Sequence, residues 1–427
     1  MASGIGGTPL ASWRGVRRAA SRTWPVLVAP ALLLAAVACG DGADDEQLRI
    51  GYLADYSGPL AEFAPQIERG VAFAVEQINE AGGVNGHDVL LVTGDTAADE
   101  QRAVAEARHL IEDEGVHVIV GPLGTAPAIA VVESVTRGAR IPTIAPAATS
   151  PALALVEDDG YLFRTTISDA AQGPVLALLV GADLGLTQVA VLYEDTAYGR
   201  GLFEAFDATY EGAVTSASYQ AGRDSYVAEL EAVAAGGAQY LVAIGYPPEA
   251  AVYVREAVEH GLFEEFVFVD GTRSQELIDA LGAEVLDGSK GTAAAAGPET
   301  DAVRAFNEAY RARYGELPRT PYVREAYDAT IAAALAAEAA GTLSGPRLRD
   351  RLTEVANPGG LRVIPEVASL RAGLAAAAAG NDVNYDGAAT SVDWDERGEV
   401  ANGYVGIWAY EGGTVVDLET IAFSTAE

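Results

Sequence analysis

The sequence predicts an α/β protein with two doubly wound lobes, and three observations lead to this prediction. Strand-like and helix-like patterns alternate from Leu48 onward, which is typical of a parallel sheet covered by helices. A second alternating run of the same kind begins near Ser168. The chain has 427 residues, of which 50% are hydrophobic, so it is long enough for two separate cores.

The first run consists of short apolar strands and amphipathic helices. Its predicted strands are 48–53, 87–93, 116–121 and 141–145, and its predicted helices are 66–81, 98–114 and 126–137. The helix 66–81 is the clearest, because Ile67, Val71, Ala74 and Ile78 recur on one helical face. Gly82 follows it, and glycine adopts the left-handed conformation that ends many helices.

The second run is predicted to build a similar lobe before the chain crosses back to the first. Its strands are expected at 188–193, 214–219, 240–245 and 266–269, with helices at 199–210, 225–235 and 248–260. Helices return at 301–314, 322–340, 346–355 and 366–379, followed by two strand-like pieces at 389–394 and 403–410. Two such lobes leave a cleft where the carboxyl ends of both sheets face each other, and ligands of open α/β sheets bind at that edge.

The N-terminus predicts an export signal over residues 1–38. A basic stretch with four arginines precedes an apolar run at 24–38, which ends in small residues before Cys39. Cys39 is the only cysteine, and its setting resembles the lipobox of a bacterial lipoprotein, although Ala36 stands where leucine is commoner. A plain cleaved signal with an incidental cysteine is the alternative. Residues 39–47 then form an acidic tether, and a single cysteine excludes an internal disulfide.

The net charge of the chain is −34, from 61 acidic and 27 basic residues. Such a surface repels phosphate backbones, so nucleic acid is excluded as a partner. An acidic chain poor in lysine fits a saline habitat and GC-biased codon usage equally well.

The order and spacing of several motifs between residues 48 and 409 resemble those of type I periplasmic binding proteins. The resemblance is closest to the leucine/isoleucine/valine-binding branch, which serves branched-chain amino acid importers. The motifs are IGYLADYSGP at 50, INEAGGVNG at 78, VGPLGT at 120, IAPAATSP at 144, FRTT at 163, AQGP at 171, VAVLYEDTAYGRG at 189, PYVREAYDA at 321 and VDWDERG at 392.

This resemblance implies two Rossmann-like lobes joined by a three-stranded hinge. The lobes would comprise residues 48–164 with 291–388, and residues 165–290 with 389–427. The chain would be an extracytoplasmic lipoprotein, anchored through Cys39, that closes over a neutral aliphatic amino acid. It would be a monomer that delivers this ligand to the permease and ATPase subunits of an ABC importer, with no cofactor and no chemical step.

Two loops of the first lobe are predicted to hold the ligand carboxylate. Thr125 follows a strand at the start of a helix, where backbone N–H groups favour an anion, although it could simply be the N-cap. Ala147, Ala148 and Thr149 follow the next strand in the same way. The resemblance implies that a hydroxyl at the first place, and backbone groups and a hydroxyl at the second, contact the ligand.

Asp270 of the second lobe is predicted to face the ligand ammonium. It ends the strand 266–269, and the family has an acidic residue here for that purpose, although a turn aspartate before Gly271 is the alternative. Tyr198, Tyr246 and Phe63 match aromatic residues of the family's cleft, and core positions are the alternative for each. No further charge lies among these positions, which favours an apolar ligand side chain.

Other functional classes find less support. Asp382 and the residues after it mimic a calcium loop, but the segment that follows resembles a strand rather than the exit helix. The chain has no phosphate loop, no nucleophile elbow and no cluster of histidines, so the sequence favours a non-enzymatic protein. Two alternatives stay open: the ligand could be an amide, urea or an aromatic acid, or the protein could be a sensor for a membrane signalling partner.

Overall fold

The computed structural model describes residues 47–424, which begin with the first strand of a parallel sheet. The predicted signal 1–38, Cys39 and all but the last residue of the tether 39–47 lie outside this range. Among the described residues, no helix combines the length and apolarity that crossing a membrane requires.

The first sheet is parallel, five-stranded and ordered β2-β1-β3-β4-β5 within the described residues. Its strands are β1 (Arg49–Ala54), β2 (Leu90–Asp95), β3 (Val118–Val120), β4 (Thr143–Ala145) and β5 (Leu162–Arg164). Its helices are α1 (Ala64–Ala81), α2 (Glu100–Glu112), α3 (Thr125–Val131) and α4 (Arg137–Ala139), with a π-helical turn at Val132–Thr136 between the last two. This sheet and its helices form the first lobe.

In residues 47–424 the second sheet has seven strands, ordered β14-β13-β10-β9-β8-β6-β7. Its first strands are β6 (Gln188–Glu194), β7 (Ala213–Tyr219), β8 (Tyr240–Ile244), β9 (Glu265–Phe268) and β10 (Lys290–Ala294), which are mutually parallel. The helices here are α5 (Asp169–Leu178), α6 (Ala197–Asp207), α7 (Val227–Ala234), α8 (Pro247–Glu259), α9 (Gln275–Leu281) and α10 (Ala283–Leu286). Together they form the second lobe.

The last third of the chain contributes to both lobes. It contains α11 (Asp301–Tyr314), α12 (Val323–Ala340), α13 (Gly345–Ala356), β11 (Leu361–Val363), α14 (Val367–Ala378), β12 (Val383–Tyr385), β13 (Asn402–Glu411) and β14 (Thr414–Ser424). The helix α12 packs on α1 of the first lobe so closely that a Cβ on Gly70 would lie 2.1 Å from the Val323 carbonyl oxygen. The strands β13 and β14 extend the second sheet in antiparallel fashion.

Three predicted boundaries need correction. Residues 291–294, predicted in the first lobe, belong to β10, which is hydrogen-bonded between β9 and β13 of the second sheet. The predicted strand at 87–93 begins only at Leu90, because Val84 and His87 close a tight turn before it. The strand-like piece 389–394 forms no strand, because its start is bound to a helix side chain and Val392 adopts a positive φ of 56°.

Asp328 of α12 binds the segment of chain that follows β12. Its side chain is fully buried and accepts hydrogen bonds from the Tyr385 hydroxyl at 2.7 Å and from the backbone N–H groups of Ala388 at 2.7 Å and Ala389 at 2.8 Å. One carboxylate therefore fixes the segment that leads from the first lobe to β13.

We predict that Asp328→Ala lowers the free energy of unfolding by about 3 kcal/mol or more, because each buried donor left unpaired costs roughly 1–3 kcal/mol. Asp328→Asn keeps one acceptor oxygen and is expected to lose less. Urea denaturation of both variants measures this, with the exposed Asp183→Ala as the control. A midpoint for Asp328→Ala equal to that of the control would contradict the prediction.

Candidate ligand-binding cleft

A cavity lies where loops of both lobes meet at the carboxyl ends of their strands. It is lined by Leu60, Phe63, Ile67, Leu123, Thr125, Ala147, Tyr198, Tyr246, Asp270, Gly271, Pro321 and Tyr322. Six of the eight predicted ligand-binding residues are in this lining, and the exceptions are Ala148 and Thr149. The fold therefore brings distant parts of the sequence together at one place between the lobes.

On the first-lobe side, Thr125 begins α3 and is buried. The residue that caps this helix is Gly124, and no side chain caps it, so the alternative of Thr125 as an N-cap is wrong. The Thr125 hydroxyl instead accepts a long hydrogen bond, 3.5 Å, from the backbone N–H of Ser150. This bond couples the two predicted carboxylate-binding loops and leaves the hydroxyl at the cavity wall.

The loop after β4 presents only one of its three predicted residues to the cavity. Ala147 lines it, whereas Ala148 is fully buried in a small apolar cluster with Leu153 and Leu162. Thr149 is also buried, and its carbonyl oxygen accepts hydrogen bonds from the Asp169 N–H at 2.8 Å and the Arg164 guanidinium at 3.0 Å. Sequence spacing locates this loop but does not show which way each residue points.

On the second-lobe side, Asp270 stands at the end of β9 and begins a 3-10 turn, Asp270–Thr272. Its Oδ1 accepts hydrogen bonds from Gln172 Nε2 and the Tyr198 hydroxyl, both at 2.8 Å, and its Oδ2 accepts one from the Tyr322 hydroxyl at 2.6 Å. Burial raises the pKa of Asp270, and these three donors oppose that rise. Asp270 is a turn residue, yet its carboxylate is buried at the cavity rather than exposed.

Sequence reasoning missed Tyr322, which connects the lobes. It precedes α12 of the first lobe, and its hydroxyl reaches across the cleft to Asp270. Its φ is +71°, a conformation that is strained for a bulky residue. The sequence feature that could have identified Tyr322 is its position after Pro321 in the PYVREAYDA motif. This motif begins the helices that return to the first lobe.

The aromatic residues occupy different walls. Tyr198 and Tyr246 stack with ring centroids 5.2 Å apart and an interplanar angle of 21°. The Tyr198 hydroxyl also accepts a hydrogen bond from the Gly271 N–H at 3.2 Å, so it is held in place from two sides. Phe63, at the start of α1, contributes to the apolar part of the opposite wall.

Glu62 forms a second connection between the lobes. Its carboxylate accepts hydrogen bonds from the Ser274 hydroxyl and from the backbone N–H groups of Gln275 at 2.9 Å and Glu276 at 3.3 Å. These donors lie at the start of α9, where a negative charge is favourable. The structure therefore shows the lobes in contact at the edge of the cleft.

The described part of the chain contains no group of three or more His, Cys, Asp or Glu side chains that could hold a metal ion. The charged group that lines the cavity is Asp270. The cleft is thus equipped to bind through hydroxyls, backbone groups and one carboxylate.

The sequence matches the family model described as periplasmic binding protein over residues 47–364, well over half of the chain. It is 29% identical, over 72% of its length, to the leucine-, isoleucine-, valine-, threonine- and alanine-binding protein of Pseudomonas aeruginosa, 82% of which is covered. It is 28% identical, over 84% of its length, to a Halobacterium salinarum protein named chemotactic signal transduction system substrate-binding protein BasB, 86% of which is covered.

Two solved structures are similar in fold. A leucine binding protein from Thermotoga maritima has a TM-score of 0.74 at 22% identity, covering 88% of this chain and 98% of that one. A solute binding protein of an ABC transporter from Rhodopseudomonas palustris BisB5, in complex with 3,4-dihydroxybenzoic acid, has a TM-score of 0.67 at 17% identity, covering 90% and 98%. The predicted fold class, two α/β lobes of the type I kind, is confirmed.

We predict that Glu62→Ala moves the ligand-free protein toward an open arrangement of the lobes. The variant loses hydrogen bonds to α9, each with a net contribution of about 0.5–1.5 kcal/mol. Small-angle X-ray scattering should then show a larger radius of gyration than for the exposed control Glu112→Ala. Equal radii for the two variants would mean that Glu62 does not hold the lobes together.

Proposed function

Since this chain belongs to the periplasmic binding protein family, we propose that it captures a neutral aliphatic amino acid outside the cytoplasm for an ABC importer. The observation that carries the proposal is the placement of Thr125 and Asp270. A hydroxyl from one lobe and a carboxylate from the other line one cavity.

An amino acid suits these two groups because it carries opposite charges on neighbouring carbons. Its carboxylate would bind on the Thr125 side, next to the first turn of α3. Its ammonium would bind at Asp270, since a buried charge is costly unless it is paired and hydrogen-bonded. Both charges of the ligand would be compensated without any contribution from the acidic surface.

The apolar lining supports an aliphatic ligand side chain. Leu60, Phe63, Ile67 and Leu123 of the first lobe contribute hydrocarbon surface to the cavity. Burying an aliphatic side chain against such surface contributes roughly 1.5–3 kcal/mol. Leucine, isoleucine and valine are therefore the proposed ligands, and the Pseudomonas relative is named for binding these three among others.

The proposed cycle is capture by closure, with no chemical step. The lobes would close over the amino acid about the segments that join them, as in hinge-type binding proteins. The closed form would then dock on the permease of the importer, whose ATPase drives release. We further propose that the protein acts as a monomer held at the cell envelope by a lipid on Cys39.

A second candidate function is ligand sensing. The Halobacterium relative is named as a component of chemotactic signal transduction, so the same closed form could instead report to a membrane signalling partner. Amino acid uptake by cells that lack this protein separates the two functions, because uptake falls only if the protein serves transport.

We predict that leucine, isoleucine or valine stabilises the protein lacking residues 1–38 in a thermal-shift screen. A ligand at 100 times its dissociation constant adds about 2.7 kcal/mol to the free energy of unfolding. Asp270→Ala should abolish this shift, because the ammonium loses its buried counter-charge, and Thr125→Val should reduce it. A shift with benzoates, amides or urea, and none with any amino acid, would contradict the proposed ligand class.

A further inference from the structure

A second pocket lies beside the cleft, next to the segment that precedes α12. It has a volume of about 170 Å³ and shares Pro321 and Tyr322 with the cleft lining. Its walls come from both lobes, with Arg324 of α12 from the first and Arg273 from the second. A single water needs roughly 10–15 Å³, so this pocket has room for a small molecule or ion.

Three arginines line this pocket, which we call the arginine pocket: Arg273, Arg319 and Arg324. The whole chain has 27 basic residues against 61 acidic ones, so three guanidinium groups at one place stand out from its composition. Arg319 is exposed and pairs with Glu316 at 3.4 Å. The other two arginines are largely buried, and each has an N–H donor that forms no hydrogen bond with the described residues.

Arg324 is held by neutral groups. Its Nη2 donates to the side-chain oxygen of Asn307 at 2.7 Å, and its guanidinium lies 4.6 Å from the centroid of the Phe306 ring. Its Nη1 is buried and has no hydrogen-bond partner among the described residues. Burial lowers the pKa of Arg324, because a cation is less stable away from water. Arg324 therefore brings a positive charge and an unused donor to the arginine pocket.

Arg273 approaches the same pocket from the second lobe. Its Nη1 pairs with Asp417 at 2.8 Å, and its guanidinium lies 5.9 Å from the centroid of the Trp408 ring. Its Nε is buried without a partner among the described residues. Asp417 is exposed, and an ion pair with an exposed partner is weak, so the second guanidinium can also take up a further anion.

The acidic residues of the pocket wall leave these charges incompletely compensated. Asp417 and Glu419 are exposed, so water and salt screen them. Glu325 is buried next to Arg324 in sequence, and burial raises its pKa to about 7, so near neutral pH it carries a proton part of the time. The first turn of α12 also lines the pocket without a side-chain cap, and a helix start favours negative charge.

We propose that the arginine pocket binds a small oxyanion, a phosphate or a carboxylate, which bridges Arg324 of the first lobe and Arg273 of the second. Guanidinium groups bind such anions through strong, charge-assisted hydrogen bonds. Because the two arginines belong to different lobes, the bound anion stabilises the arrangement in which the lobes are in contact. The pocket is separate from the proposed amino acid site, so this inference goes beyond the proposed function and does not rest on it.

The test titrates the purified protein with sodium phosphate and with sodium acetate by calorimetry, without any amino acid. Sodium chloride at the same ionic strength is the reference, because general screening of the acidic chain is then equal. Wild type is expected to bind at least one of the two oxyanions and to melt at a higher temperature with it than with chloride. Tighter binding of phosphate than of acetate identifies a phosphate ligand, and the reverse identifies a carboxylate.

Arg324→Gln and Arg273→Gln are each expected to weaken oxyanion binding about tenfold or more, since each variant loses charge-assisted hydrogen bonds. The exposed Arg311→Gln is the matched control and is expected to bind like wild type. The inference is overturned if wild type binds neither oxyanion, a measurement that needs no variant to fold. It is also overturned if either Arg324→Gln or Arg273→Gln binds as tightly as the control, because a bridge needs both arginines. Either result leaves the proposed amino acid capture untouched.

Discussion

The buried guanidinium of Arg164 is the interaction on which the loop after β4 and the segment that leads to β13 both depend. Its Nε donates to Glu399 at 2.6 Å, and its Nη1 donates to the carbonyl oxygens of Thr149 and Ser150 at 3.0 Å. The backbone of the same residue is bound to Gly398 and to the Trp394 indole. One side chain thus fixes both a cleft loop and the returning chain, and breaking such a buried pair typically costs about 3–5 kcal/mol.

Local patterns were sufficient to predict most of the elements, because each strand or helix carries its own periodicity. They could not show which sheet a strand joins. The sequence of β10 would suit a strand of either sheet. Its position is decided by pairing with β13, more than a hundred residues later. The segment after β12 has strand-like residues, but Asp328 takes the backbone N–H groups that a ladder would need.

The candidate site shows the same limit. Thr125, Ala147 and Asp270 could be predicted because each follows a strand at the edge where ligands of such sheets bind. Tyr322 and Gln172 could not be predicted, because their importance comes from their hydrogen bonds to Asp270, which the neighbouring sequence does not indicate. Residues that act through another side chain become visible only when the lobes are assembled.

The hydrogen bond between Tyr322 and Asp270 has a consequence for the empty protein. Both groups are buried while the lobes are together, and separation would expose a phenol and a carboxylate that must then be hydrated. The Tyr322 phenol is also presented from a backbone with a φ of +71°, which is unfavourable for a bulky residue. Hydration of these two groups is therefore one of the terms that set the resting position of the lobes before any solute arrives.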